Sequence, residues 1–507
     1  MNACLKWIVT LLVLAIISSA QAQKVTTIDF ETIPDIATTP GIVGKAFDLG
    51  NVTKRYAIAL PNPIKDSKNF TISVWVKADE NGQMPYTIAS GLQKQTEGYD
   101  GWKFGIQANG AWNFQIQANG QNHSYDPTPF RQSIRDGKWH QLAVSHDIVK
   151  QRLIFYYDGK QRAIYHVPAL QNTNLADSIV IGNSIDHEKP FKTEQWESFY
   201  GTIDDIKCYD TALSAEQMQQ QYTQITGKRI AETVSKPASL SVTSFNIWHG
   251  GNESGKEIGL QRTIALMKES KADVFTLVET YGSGERIADA LGYYFYLISS
   301  NLSIMSRYPF TDTYQIYRSF NSGGVQIALP GGQPINIFAT WLHYLPDYWS
   351  GFVKAERWDT TDFIIEENKT RGAEMKAIVK ELKPFLEHAD QTPVIIAGDF
   401  NSGSHLDWTE NTKHLHKNYI IPWPASKTLA QTGVRDAWRT LYPDPIRYPG
   451  ITWSPIDNSD TYQKDRIDYI YYKGSKLMPK ASTVIESHPV AFPSDHAGIN
   501  VVFKLQK

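Results

Sequence analysis

The first half of the chain carries short runs in which hydrophobic and polar positions alternate. Gly, Asn, Asp and Pro interrupt these runs about every ten residues, which is the spacing of an all-β sandwich. The clearest runs are 70–76, 102–106, 112–116, 141–145 and 153–157. Asp158-Gly159 follows the last run and predicts a tight hairpin, and Ser214 is a candidate N-cap for a short Gln-rich helix.

From Leu240 onward, strand-like runs alternate with helical stripes. Leu260, Ile264 and Met267 fall on one helical face and precede the apolar run 274–278. Residues 371–388 repeat that pattern ahead of the apolar run 394–397. This alternation predicts an α/β layered domain. Residues 226–239 lack apolar periodicity and include Pro237, so they are predicted to be a linker.

Length and composition support two soluble domains. A chain of 507 residues exceeds what one hydrophobic core usually covers. It is 41% hydrophobic and 20% charged, which excludes a disordered or collagen-like chain. Its 50 Lys+Arg and 52 Asp+Glu nearly cancel, so overall charge does not favour bulk nucleic-acid binding.

Residues 1–22 have the pattern of a secretory signal. Lys6 precedes the apolar run 7–17, and small residues end at Ala22. We predict cleavage after Ala22 and a secreted or periplasmic protein with no stable membrane span, the alternative being an uncleaved anchor. Cleavage would leave Cys208 as the remaining cysteine, so no intramolecular disulfide is expected.

Polar residues recur where the predicted strands of the second half end. These residues are Asn246, Glu279, Asp399, Asn401, Asp468, Asp495 and His496. Carboxylates and amides are hard oxygen ligands, which suit Mg²⁺ and also Mn²⁺ or Ca²⁺. With an imidazole beside them, such groups fit metal-assisted hydrolysis of a phosphoester. The sequence has no Gly-rich P-loop and no Gly-x-Ser-x-Gly turn, so a covalent serine mechanism has little support.

Six motifs follow one another in residues 240–507: 243–248 (TSFNIW), 273–279 (DVFTLVE), 304–309 (IMSRYP), 398–401 (GDFN), 466–469 (RIDY) and 494–496 (SDH). In this order they resemble the endonuclease/exonuclease/phosphatase superfamily. The resemblance implies a four-layer α/β/β/α sandwich with two β-sheets face to face and helices outside.

The resemblance also implies a role for each matching residue. Glu279 would be the principal metal ligand, with Asn246 beside it and Asp495 as a further ligand. Asp399 would position or activate the attacking water, and Asn401 would hold a phosphate oxygen. His496 would contact the phosphoryl group, oriented by Asp468.

One position departs from the family pattern. A second histidine usually follows Thr at a strand end, whereas here Thr340 is followed by Trp341, Leu342 and His343. A shift of two residues keeps a strand side chain on the same face, so His343 is the candidate for this role. Arg307 closes a strand at a turn, where it either supports the fold or contacts substrate.

Residues 24–225 contain five short pieces in a fixed order: 44–47 (GKAF), 70–75 (FTISVW), 136–140 (DGKWH), 158–160 (DGK) and 201–206 (GTIDDI). With these pieces the first half resembles the laminin-G-like, concanavalin A-like jelly rolls. Such domains bind glycans or proteins, and some hold calcium. The first half could therefore bind an accessory ligand or serve as a structural spacer. The aromatic positions Trp75, Trp102, Trp112 and Trp139 are expected in the core rather than on a sugar platform.

The sequence therefore predicts a secreted, Mg²⁺-dependent phosphoric ester hydrolase with a jelly-roll accessory domain. The alternatives are an extracellular nuclease and a catalytically inactive surface-binding protein. The segment around His343 is rich in aromatic residues and could stack on bases, lie on sugars, enter a lipid interface or fold on itself. Trp341 and Tyr344 are its candidate substrate contacts. The further aromatic residues of this segment are Tyr348, Trp349, Phe352 and Trp358. The acidic clusters 366–367 and 457–460 are predicted to be solvated loops.

Overall fold

The computed structural model describes residues 24–506 apart from ten short internal segments. These segments are 34–35, 51–56, 82–85, 96–97, 119, 169, 171–174, 184–198, 231–234 and 355–358. The predicted signal, residues 1–22, and Trp358 lie outside the described residues.

The first half is built mainly of strands. They are β1 (Val25–Ile28), β2 (Thr38–Pro40), β3 (Lys45–Asp48), β4 (Ile58–Pro61), β5 (Phe70–Ala78), β6 (Tyr86–Lys94), β7 (Tyr99–Ile106), β8 (Trp112–Ala118), β9 (Gln121–Tyr125), β10 (His140–Asp147), β11 (Arg152–Tyr157), β12 (Lys160–His166), β13 (Ser178–Ile181) and β14 (Gly201–Tyr209). Two helices accompany them, α1 (Pro129–Gln132) and α2 (Ala215–Thr226).

The second half alternates strands and helices. Its strands are β15 (Ser239–Asn246), β16 (Val274–Val278), β17 (Tyr294–Leu297), β18 (Leu302–Ser306), β19 (Phe310–Gln315), β20 (Ser322–Ala328), β21 (Pro334–Trp341), β22 (Val394–Asp399), β23 (Arg435–Asp436), β24 (Asp468–Lys473), β25 (Leu477–Ile485) and β26 (Gly498–Leu505). Its helices are α3 (Trp248–Gly251), α4 (Ile258–Ser270), α5 (Gly284–Leu291), α6 (Tyr348–Val353), α7 (Thr360–Lys369), α8 (Arg371–Glu387), α9 (Pro424–Ala430) and α10 (Ala437–Leu441).

The first half is an all-β jelly-roll sandwich, as predicted. One sheet has the order β2-β3-β14-β5-β10-β11-β12, with β1 on β14, and the other has the order β4-β13-β6-β7-β8-β9. Trp102 and Trp112 fill the interior, whereas Trp75 is buried on the outer face, where it stacks on Tyr222 of α2 at 5.6 Å. The expectation of a core position was wrong for Trp139, which is partly exposed.

The local signals of this half are confirmed. Asp158 and Gly159 have φ values of 51° and 69° and connect β11 to β12. Ser214 caps α2 in a capping box with Gln217. The helix ends at Gly227, and β15 begins twelve residues later at Ser239, within the stretch predicted to be a linker.

The second half is an α/β/β/α sandwich, as predicted. One sheet has the order β17-β18-β16-β15-β26-β25 and the other has the order β19-β20-β21-β22-β24-β23. Their facing surfaces share one apolar core that includes Val242, Ile337 and Ile395. Helix α8 covers the outer face of the second sheet through Met375 and Ile378.

The two halves are joined through their sheets, which the sequence did not predict. Strand β12 of the jelly roll pairs in parallel with β17, so one 14-stranded sheet runs through both domains. At the same junction Asp289 of α5 accepts hydrogen bonds from the hydroxyl of Thr128, the backbone N–H of Arg131 and the side chain of Gln132. The jelly roll is therefore docked on the layered domain as a packed neighbour.

None of the helices within the described residues is both long enough and apolar enough to cross a lipid bilayer.

Candidate active site

The polar strand ends of the second half meet at one end of the cleft between its two sheets. Asn246 ends β15 and is in register with Val278, the last residue of the parallel strand β16, so Glu279 follows beside it. In the facing sheet, Asp399 ends β22 and is in register with Asp468 at the start of β24. Side chains from four strands are thereby brought to a single place.

Asn246 joins the carboxylates of the two sheets. Its Nδ2 lies 3.2 Å from Glu279 Oε1 and 3.2 Å from Asp399 Oδ2. Its Oδ1 accepts the backbone N–H of Trp248 at 3.0 Å. Asn246 thus positions two carboxylates; its oxygen has a second lone pair, so its role beside the metal stays a prediction.

Glu279 stands on a left-handed backbone with φ of 58°. Asn301, which is fully buried, holds this turn: its Oδ1 accepts the N–H of Glu279 at 3.1 Å, and its Nδ2 donates to Phe320 O at 3.0 Å. The backbone N–H of His249 donates to Glu279 Oε2 at 2.9 Å. Sequence reasoning missed Asn301 and His249, although both flank motifs that it had used.

His496 and Asp468 form a buried hydrogen-bonded pair. Nδ1 of His496 lies 2.9 Å from Asp468 Oδ2, and its Nε2 lies 3.9 Å from Asp399 Oδ2. The backbone around His496 is fixed by Ser494, whose hydroxyl donates to Asn246 O and accepts the N–H of His496. The imidazole thus lies between two carboxylates.

Asp399 and Asn401 contact one another through a turn. The backbone N–H of Asn401 donates to Asp399 Oδ1 at 2.9 Å, and its Nδ2 lies 3.2 Å from Asp399 Oδ2 and 2.9 Å from Leu342 O. Asn401 has a φ of 46°, so the chain turns directly after β22. Its amide group donates to Leu342 and Asp399 and so positions Asp399, and its contact with a phosphate oxygen stays a prediction.

The glycine before Asp399 is required by packing. A Cβ on Gly398 would lie 1.7 Å from the carbonyl oxygen of Thr340, and its φ is 155°. A glycine at this position lets β22 approach β21 closely.

The pKa values of the central groups follow from burial and close charges. Burial raises the pKa of Asp399, and the charge of Asp468 adds to that effect while His496 opposes it. Burial alone would lower the pKa of His496, but Asp468 and Asp399 more than offset it and hold the pKa well above its usual value. Burial also raises the pKa of Asp495, with Glu279 adding to the effect. The two carboxylates thus favour the protonated form of His496.

The donor set fits a hard divalent cation. Glu279, Asp399, Asp468 and Asp495 surround the site, and Asp495 Oδ1 is a buried oxygen with no hydrogen-bond partner among the described residues. One imidazolium does not balance this many carboxylates, and an additional cation would. Asp399, Asp468 and His496 also lie within 4.8 Å of one another. Because Nδ1 of His496 is engaged by Asp468, Glu279 and Asp495 are the candidate ligands for such a cation.

Two predicted residues are not brought into this cluster. Arg307 binds Tyr293 Oη at 2.6 Å and the carbonyl of Asp273, which precedes β16, whereas Glu279 follows β16. Arg307 therefore lies at the opposite end of the strand and supports the fold there. His343 is exposed, and its backbone N–H donates to Glu374 Oε2 at 2.8 Å. Its imidazole stacks on Tyr344 and packs against Trp341, at the edge of the site.

The aromatic segment after His343 divides into two parts. Tyr348, Trp349 and Phe352 are buried in their own cluster with Trp408 and Trp423, whereas Trp341 is partly exposed and Tyr344 is exposed. The acidic cluster 366–367 was predicted to be solvated, and this was wrong for Glu367. Its side chain is fully buried and pairs with Arg371 at 2.9 Å.

Each half of the chain matches a known protein family. Residues 53–219 match the concanavalin A-like lectin/glucanases superfamily, and residues 243–496 match the endonuclease/exonuclease/phosphatase family. The second match indicates a hydrolase that acts on phosphoesters. The chain belongs to the endonuclease/exonuclease/phosphatase family.

Individual relatives and solved structures each match about half of this chain. The uncharacterized protein F14F9.5 of Caenorhabditis elegans is 32% identical over 251 residues, covering 46% of this chain and 79% of the relative. Truncated TDP2 of Caenorhabditis elegans is 19% identical with a TM-score of 0.37, covering 52% of this chain and 97% of that structure. An endonuclease/exonuclease/phosphatase of Beutenbergia cavernae is 18% identical with a TM-score of 0.35, covering 53% and 72%.

Proposed function

We propose that the chain is an exported, divalent-metal-dependent phosphoesterase that hydrolyses a phosphodiester or phosphomonoester with water as the nucleophile. One observation carries the proposal: Asp399 and the His496–Asp468 pair lie in one buried cluster, which Asn246 links to Glu279. Family membership supports the phosphoester as the substrate class.

Asp399 is the group that orients and deprotonates the attacking water. Its carboxylate is held at both oxygens by N–H donors of Asn401, and Asn246 fixes the same carboxylate from the facing sheet. A raised pKa makes its ionised form a stronger base than an exposed aspartate.

His496 is the group that donates a hydrogen bond to the phosphoryl oxygens. Its Nδ1 is engaged by Asp468, which leaves Nε2 on the Asp399 side of the ring. As an imidazolium it stabilises the negative charge that grows on the phosphoryl group when water attacks.

Glu279 and Asp495 would hold the divalent cation. Oxygen ligands of this kind favour Mg²⁺, with Mn²⁺ or Ca²⁺ as substitutes. When bound, such a cation screens the phosphate's negative oxygens. The left-handed turn at Glu279, fixed by Asn301, keeps the carboxylate in place before a cation arrives.

Hydrolysis of bis(p-nitrophenyl) phosphate tests the proposal. The full chain should release p-nitrophenolate with Mg²⁺ and stop when a chelator is added. His496→Ala should lose activity, and His388→Gln, which changes an exposed histidine at the end of α8, should keep it. If the wild type and His496→Ala are equally inactive on phosphodiesters and phosphomonoesters, the protein is instead a binding protein.

Export and a ligand of the jelly roll are further parts of the proposal. The charged start, the apolar run 7–17 and Ala22 support export. Sequencing of the secreted N-terminus should find Gln23 first, and an intact Met1 would contradict it. A glycan or protein ligand of the jelly roll would have to use surfaces other than Trp75, Trp102 and Trp112, which are buried.

A further inference from the structure

Two partly exposed tryptophans stand next to the two central groups of the site. Trp341 is in register with Asp399 across β21 and β22, and Trp453 is bridged to His496. Residues in register across neighbouring strands project to the same face of a sheet. The indole of Trp341 therefore lies on the side of its sheet that carries Asp399, and Trp453 is next to His496 through an isolated bridge.

Each tryptophan continues into exposed aromatic side chains. Trp341 contacts Phe320 edge-to-face at 5.3 Å and His343 at 5.9 Å, and His343 stacks on Tyr344 at 5.2 Å. Trp453 contacts Tyr462 edge-to-face at 5.0 Å. We call these six residues the aromatic rim: Phe320, Trp341, His343, Tyr344, Trp453 and Tyr462.

Four members of the rim are exposed, whereas Trp341 and Trp453 are partly buried against neighbouring apolar clusters. Phe320, Tyr344 and Tyr462 are 40%, 55% and 38% exposed. By contrast, Trp349 and Phe352, a few residues beyond Tyr344, are buried in their own cluster. Exposed aromatic patches that border a polar site are a mark of ligand-binding surfaces.

The charges around the rim disfavour a polyanion or an anionic membrane. Both would need clustered Lys or Arg. Next to the rim, Glu374 binds the N–H of His343, and Asp457 and Asp460 lie in the loop before Tyr462. Two cations lie near the rim on the surface: the guanidinium of Arg318 lies over Tyr317, and Lys464 Nζ donates to the carbonyl of Asp457. Arg371, which donates to Tyr344 O, is buried and paired with Glu367.

We infer that the substrate is a small phosphoester with a planar ring on the retained side of the scissile phosphate, and that the rim binds this ring by stacking. This inference rests on the proposed function. Aromatic side chains hold flat rings on their faces and edges, and they do so without charge. A ring held by Trp341 or Trp453 would place its attached phosphate beside Asp399 and His496.

Two esters with the same leaving group test the inference. Thymidine 5′-(p-nitrophenyl phosphate) carries a base on the retained side, whereas methyl p-nitrophenyl phosphate carries none. In the full chain with Mg²⁺ we expect kcat/KM for the thymidine ester to be higher by about tenfold or more. Equal values, or faster hydrolysis of DNA or of phospholipid vesicles, would overturn the inference.

Variants show whether the rim is the source of the preference. Tyr344→Ala and Trp453→Leu should lower the ratio of the two kcat/KM values toward one. Phe130→Ala removes an aromatic ring that is 67% exposed on the jelly roll, and it should leave the ratio unchanged. Tyr344 is itself 55% exposed, so its removal spares the core, and the unfolding midpoint of each variant checks this. An unchanged ratio in both rim variants would contradict the inference.

A binding measurement separates this inference from the proposed function. If neither ester is hydrolysed, the proposed function fails, and calorimetric titration of phenyl phosphate and methyl phosphate still decides the role of the rim. Phenyl phosphate should bind about tenfold more tightly than methyl phosphate, and Tyr344→Ala should remove the difference. Equal binding would overturn the inference.

Discussion

Asp468 accepts a hydrogen bond from Nδ1 of His496 at 2.9 Å, and both side chains are buried. Because Asp468 is in register with Asp399 across β22 and β24, the carboxylate that orients the histidine and the carboxylate that faces its other nitrogen come from neighbouring strands. The imidazole is therefore held in one orientation by the sheet itself.

Asp468→Asn should lower kcat/KM for bis(p-nitrophenyl) phosphate by about a hundredfold. Burial alone would lower the pKa of His496, and Asp468 is the main group that raises it. Without that carboxylate the pKa of His496 falls, so the imidazolium loses its proton at a lower pH than in the wild type. The alkaline limb of the pH profile should accordingly move to lower pH.

The control for this experiment is Asp362→Asn, which removes an exposed carboxylate on α7. It should keep both the rate and the pH profile of the wild type. A profile of Asp468→Asn that coincides with the wild type, at whatever rate, would show that Asp468 does not act through the protonation of His496.

Glu279→Gln should raise the Mg²⁺ concentration needed for half-maximal activity by at least about tenfold. The physical reason is the loss of one ligand charge at a turn that Asn301 and the N–H of His249 keep in place. A second readout is stability, because a cation that binds the folded state raises the unfolding midpoint. Mg²⁺ should raise the midpoint of the wild type and have less effect on the variant.

Glu486→Gln, at an exposed acid outside the site, should respond to Mg²⁺ like the wild type. Activity that survives complete chelation, or an equal Mg²⁺ response in Glu279→Gln, would count against a cation held by Glu279.

Local patterns predicted the elements of the fold and the cluster of polar strand ends. Asn246, Asp399 and His496 belong to motifs whose strands could be placed in order, so their meeting follows from the layered fold. The role of Asn301 could not be predicted, because it depends on a loop that approaches Glu279 in space and carries no sequence pattern of its own. The burial of Glu367 depends on Arg371 across the junction of α7 and α8, which charge patterning along the chain does not reveal.

The junction between the halves escaped for a similar reason. Strand β12 looks like any jelly-roll strand, and its pairing with β17 depends on two sheet edges meeting. No single stretch of sequence encodes such an encounter. The pairing of β12 with β17 leaves acidic residues of α5 buried against the jelly roll, among them Glu285.

Glu285→Gln should stabilise the protein more at pH 8 than at pH 5. Burial raises the pKa of Glu285 from 4.5 to about 8, with Asp126 adding to the effect and Arg286 opposing it. The folded state then keeps a proton that the unfolded state releases, so the free energy of unfolding falls as pH rises between these two values. Glutamine cannot ionise, which removes this loss.

Thermal unfolding of the full chain across pH 5 to 8 measures the effect. From pH 5 to pH 8 the unfolding temperature of the wild type should fall by more than that of the variant. Glu269→Gln, at an exposed acid of α4, should follow the wild type. Parallel pH profiles for the wild type and Glu285→Gln would show that Glu285 does not keep its proton in the folded state.

Gly398→Ala should destabilise the protein by about 4 kcal/mol or more. A Cβ at this position would lie 1.7 Å from Thr340 O, on the backbone of the neighbouring strand, and the strand would have to move away. Asp399 is the next residue, so activity should fall together with stability. Gly332→Ala is the matched control, since Gly332 also has a positive φ of 84° but no atom within 4 Å of its Cβ position. Denaturant unfolding should show a small loss for Gly332→Ala, which reports backbone strain alone, and a much larger one for Gly398→Ala. Equal losses would mean that strain, and not the close approach of β21 and β22, sets the need for glycine before Asp399.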